Sequence, residues 1–83
     1  MKQNMALEKK KIKKLKDIFE KILNQKISNH NKLKFNSTKN WDSLRHIQLI
    51  LAIEKTFSLK IKTSDIYALS SFEKIMKYLD KST

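Results

Sequence analysis

The chain has 83 residues, 40% hydrophobic and 33% charged, and its 19 basic side chains against 8 acidic ones give a net charge of +11. That length allows one small domain with a modest core, and the composition fits a globular chain rather than a disordered one. With no cysteine, disulfides and thiolate metal sites are excluded.

Glycine and proline are also missing, so every turn falls to Asn, Ser, Asp or Thr, which tolerate turn geometry through local side-chain hydrogen bonds. A β-rich fold, whose tight hairpins want glycine at positive φ, is disfavoured. The longest apolar run, Leu49 to Ile53, is far short of the ~20 residues of a membrane span. Met1-Lys2-Gln3-Asn4-Met5 leads into lysines rather than an apolar signal core, so a cytoplasmic protein is expected.

In chain order, Leu7, Ile12, Leu15, Ile18, Phe19, Ile22 and Leu23 come first. From Ile12 their steps of three and four predict an amphipathic helix over about 4–24. Lysines fill much of its other face. Residues 25–42 show no sustained period and are dense in Asn and Ser, which predicts a long loop. Ile27, Leu33, Phe35 and Trp41 are candidates to pin it to the core. Residues 43–57 read as a helix apolar nearly all round, capped by Asp42 or Ser43, packed on several sides and including Phe57 in its core. A short helix is predicted over 64–68 and a last one over 71–81. Ser70 and Glu73 have the spacing of a capping box, and Phe72, Ile75, Met76 and Leu79 supply the buried stripe of the last helix. The fold expected is all-α: a single-domain antiparallel bundle of three main helices plus one short one.

The charge is unevenly placed. Residues 1–40 hold twelve lysines against Glu8, Asp17 and Glu20, a net +9, and residues 41–83 carry only +2. A basic helical domain invites a nucleic-acid reading, but Arg45 is the one arginine available to read base edges. That reading, and an unmodified carrier-like interaction protein, stand as alternatives to the one below.

Asp42-Ser43-Leu44 opens a continuous pattern: Ile47, Leu49-Ile50, Ala52-Ile53-Glu54, Phe57 and Ile61, then Asp65-Ile66, Leu69, Ser71-Phe72, Ile75 and Tyr78-Leu79. Over roughly residues 41–79 this register resembles the acyl and peptidyl carrier proteins. The resemblance implies that Ser43 is the attachment point of a covalent 4′-phosphopantetheine arm, donated from coenzyme A by a phosphopantetheinyl transferase. It implies that Asp42 helps hold Mg²⁺ in the transferase complex and that Leu44 contacts the arm or the transferase. Arg45, His46, Ile47 and Gln48 are expected to face partners. Packing is the competing role for Ile47, and surface decoration for His46, read as an exposed histidine. An interior of Ile47, Leu51, Leu69, Phe72 and Met76 is expected to be filled, since Phe72 is bulky for a tunnel wall. No catalytic residue and no resident metal are expected, and His30 has no ligand partner at usable spacing. The protein would be a monomeric carrier, not an enzyme. A loading ligase or acyltransferase and a downstream transferase or reductase would serve it, without nucleic acid or stable membrane insertion. Family members of fatty acid synthesis generally present an acidic second helix. Here that face offers Arg45, His46, Gln48 and Lys55 against Glu54, which implies a specialised pathway.

Overall fold

The computed structural model describes residues 2–82, with side chains from residue 9 to residue 81. Three α-helices, α1 (Lys2–Leu23), α2 (Ser43–Phe57) and α3 (Phe72–Ser82), alternate with 3-10 turns at His30–Lys32 and Thr63–Ala68. The bundle is all-α, as its periodicity predicts. Leu7 lies outside the residues whose side chains are described.

On α1, Leu15, Phe19 and Leu23 are fully buried, one helical face four residues apart. Without glycine the helix ends on Asn24, which takes the left-handed conformation at φ 54°. Asn pays less for this than most residues because its short side chain bonds locally. The Glu20 carboxylate then accepts the Ile27 N–H at 2.9 Å, folding the chain back along the helix it has left.

The segment 25–42 is more structured than its lack of period predicts. Besides the His30–Lys32 turn, Lys34 forms an isolated antiparallel bridge with Ser71. Phe35 N donates to Ser70 O at 2.8 Å, and Phe72 N donates to Leu33 O at 3.1 Å. Asn40 Nδ2 and Gln25 Nε2 tie the end of the segment to Leu23 O and Lys39 O. These bonds pair residues distant in sequence, which periodicity cannot register. Ile27, Leu33 and Trp41 are buried and Phe35 half-buried, so all four anchors hold.

The bridge also moves the start of α3. Its cap is Ser71, whose Oγ accepts the Lys74 N–H at 3.1 Å, rather than the Ser70 of the expected capping box. The Ser70 carbonyl is taken by the bridge, so the helix begins one residue later. Lys11 pairs with Asp80 at 3.4 Å, and Phe19 meets Phe72 at a ring separation of 5.5 Å. α3 therefore runs opposite to α1.

α2 departs most from expectation. His46, Leu49, Ile50 and Ile53 are buried, but Leu51 is 59% exposed and Leu44 68%. A domain of this size has too few layers to cover a helix all round. Leu51 consequently lines no interior. Of the expected interior set, Leu69 and Phe72 are buried while Ile47 and Met76 are only half-buried. α2 ends on Ser58, again left-handed at φ 53°, whose N–H donates to Glu54 O.

Phe19→Ala is expected to destabilise the bundle by about 3–5 kcal/mol, because a fully buried ring leaves a cavity. Half-buried Phe57 should cost clearly less, contrary to its expected place in the core. Urea unfolding of both variants checks the order, and an equal loss would refute this account of the packing.

Candidate functional site

Asp42 sits in extended backbone at φ −110° as the N-cap of α2. Its Oδ1 accepts the Arg45 backbone N–H at 2.9 Å, and its Oδ2 accepts Arg45 Nη1 at the same distance. The Asp42 carbonyl takes the His46 N–H at 2.8 Å, starting the helical ladder. The hydrogen bond from the Arg45 backbone N–H is the main reason the carboxyl is held below its ordinary 3.8; slight desolvation opposes this, and the guanidinium charge adds to it. Of the two capping candidates the aspartate wins, which leaves the serine hydroxyl free of that duty.

Ser43 is the first residue of α2 and is exposed. Backbone N–H groups of a first helical turn lack intrahelical acceptors, and their partial positive charge favours an anion such as a phosphodiester. The position therefore fits a phosphopantetheine linkage. Asp42 fits an Mg²⁺ ligand too: its carboxylate stays ionised, and its ion pair with Arg45 is solvent-exposed and of a kind that exchanges readily. Among the described residues no group of His, Asp or Glu side chains is placed to hold a metal ion alone.

Leu44, Gln48, Leu51 and Lys55 are exposed, recurring along one face of α2 at helical spacing. Arg45 and Ile47 flank that face, each half-buried. The helix thus has a solvent face, contrary to expectation, but leucines form much of it and its arginine is engaged by Asp42. This suits protein contact better than a nucleic-acid groove. Lys9, Lys10, Lys13, Lys14 and Lys21 are likewise exposed along α1.

His46 is the main correction. It is not exposed but 1% accessible, so its imidazole offers a partner no surface. Trp41 Nε1 donates to His46 Nδ1 at 3.0 Å, and His46 Nε2 lies 2.7 Å from the Ile66 carbonyl. An indole N–H can only donate and a carbonyl can only accept. The partners therefore select the neutral imidazole protonated at Nε2. The Trp41 ring lies near-parallel to the imidazole at 25°, beside it at 5.8 Å as the bond to Nδ1 requires, Tyr67 stacks near it at 5.7 Å, and Phe35 is tilted at 5.4 Å. A buried tryptophan needs an acceptor, and that need was the one sequence signal pointing to His46, five residues on. Tyr67, 64% exposed, carried no signal. His30 packs on the Phe72 ring at 4.6 Å.

A capped helix presenting an exposed serine at its first residue, in a small bundle, is the arrangement that the carrier-protein resemblance implies. The chain is 36% identical over 69 residues to the acyl carrier protein of Buchnera aphidicola subsp. Schizaphis graminum, covering 82% of this chain and 87% of that one. The protein belongs to the acyl carrier protein family, whose members are carriers rather than enzymes. No family model and no solved structure matches it significantly. No helix among the described residues is long and apolar enough to cross a membrane.

Because the folded Asp42 carboxyl ionises below its unfolded value, its stabilising contribution is complete above 3.8 and is lost as pH falls through the folded midpoint. NMR titration should place that midpoint below 3.8, and Arg45→Ala should raise it by removing the guanidinium. A wild-type midpoint at or above 3.8 would contradict the cap geometry.

Proposed function

We propose that the protein is a stand-alone acyl or aminoacyl carrier whose Ser43 bears a 4′-phosphopantetheine arm and which shuttles cargo between partner enzymes. The observation behind this reading is the exposed Ser43 hydroxyl at the first residue of α2, beside a carboxylate that caps the helix in its place. The arm, when attached, supplies the thiol that holds cargo as a thioester, so the lack of cysteine is no obstacle. Asp42 keeps the first turn formed and offers an ionised carboxylate for Mg²⁺ inside a phosphopantetheinyl transferase. Leu44 gives that enzyme, or the arm, an apolar contact next to the serine.

The pathway we assign is a specialised one in the cytoplasm, served by a monomeric carrier. A ligase or acyltransferase loads it and a transferase or reductase unloads it. On α2 the acids are committed within the chain: Asp42 to Arg45, and Glu54 to the Ile61 N–H at 2.7 Å. The exposed Asp42–Arg45 pair balances itself, and the other fully exposed charge is Lys55. Enzymes that read an acidic helix lose their electrostatic steering on such a face.

Incubation with coenzyme A, Mg²⁺ and a broad-specificity phosphopantetheinyl transferase should add one phosphopantetheine by intact mass. Fragmentation should map it to Ser43, and Ser43→Ala should fold normally and gain nothing. Modification of the alanine variant would refute the site. A housekeeping malonyl-accepting ketosynthase should extend the loaded carrier with a kcat/KM at least about tenfold below that for an acidic carrier. Equal rates would refute the specialised pathway.

A further inference from the structure

We infer that His46 is the positioning residue of the carrier site: it holds the 63–68 turn against the first turn of α2, so that an incoming transferase meets Ser43 and Tyr67 as one rigid surface. The inference rests on the carrier reading of Ser43. His46 follows Ser43 by three residues, one helical turn on. Its Nε2–H reaches across to the Ile66 carbonyl at 2.7 Å, and the next residue, Tyr67, stacks on its ring at 23°. On the other side the Trp41 indole holds the imidazole in register through Nδ1. Trp41 is itself 4% exposed and packed edge-on against Phe19 at 5.0 Å.

The outcome is a ladder of three rings running from the core to the surface. Its inner members, Trp41 and His46, are buried, while Tyr67 is 64% exposed. A large aromatic ring left in water is ordinarily free to move. This one has a buried ring beneath it, and its neighbour's backbone is bonded to the same imidazole. Leu44 and Tyr67 are two of the exposed large apolar side chains, and both are tied to the turn that bears Ser43. They fit apolar side chains of the enzyme that handles the serine, and a held ring costs less ordering on docking than a free one.

Two substitutions separate the halves of the ladder. The amide nitrogen of His46→Gln can stand where Nε2 does and donate to Ile66 O; the amide oxygen of His46→Asn can stand where Nδ1 does and accept from Trp41 only. With the same transferase, coenzyme A and Mg²⁺, His46→Asn should raise the KM for the carrier at least about fivefold with kcat little changed. His46→Gln, which keeps the bond to Ile66 O but not the ring, should raise KM clearly less. Tyr67→Ala, at an exposed position that leaves folding intact, should raise KM similarly, and combining it with His46→Asn should add little further. Unchanged KM for Tyr67→Ala, or independent multiplication of the two effects, would overturn the inference, as would equal KM values for the Asn and Gln variants. Absence of any mass gain on wild type would overturn the carrier reading as well, and is read separately from KM.

Discussion

The phenyl ring of Phe19 is the junction on which the fold depends. It is fully buried, meets the Trp41 indole edge-on at 5.0 Å and the Phe72 ring at 5.5 Å. Through it α1 touches both the lead-in to α2 and the start of α3. Aromatic pairs of this kind add about 0.5–1.5 kcal/mol each beyond their buried area. In a chain with no disulfide to close the loop, such contacts set where the 25–42 segment ends. That end point in turn sets where Ser43 appears.

A second constraint is the absence of glycine. Asn24, Asn40 and Ser58 all occupy the left-handed region, and two of them follow directly on a main helix. For two of them the cost is offset by specific bonds: Asn40 Nδ2 to Leu23 O, and the Ser58 N–H to Glu54 O. The chain thus makes its sharp reversals with polar side chains that also stitch neighbouring elements. Two carboxylates serve in the same way, since Glu20 and Glu54 each accept a backbone N–H seven residues further on. The lysines dominate the surface because they outnumber the acids, and on α2 Lys55 is exposed while Glu54 is half-buried.

The candidate site combines a polar edge and an aromatic support. Asp42 secures the first turn from outside through Arg45, where water competes for both partners. His46 secures it from inside through Trp41 and Ile66, where water does not. No buried side-chain nitrogen or oxygen among the described residues lacks a partner. The interior polar bridge is therefore complete, and complete buried networks hold geometry more tightly than exposed pairs.

Much of this was legible in the sequence. The 3.6-residue stripes located α1 and α3, a capped and almost wholly apolar run located α2, and the Asp-Ser-Leu pattern pointed to the serine and its cap. Local chemistry decides these features, since a periodic face or an N-cap depends on residues within one or two turns. Tertiary structure alone decided the rest. It placed His46 inside and Leu51 outside, because the faces of an almost wholly apolar helix are chosen by its neighbours and not by its own pattern. The cap of α3 moved from Ser70 to Ser71 because Leu33 and Phe35, far back in the chain, claim the backbone of Phe72 and Ser70. Tyr67 entered the site only when the 63–68 turn closed on α2, a contact between segments some twenty residues apart that no sequence period records.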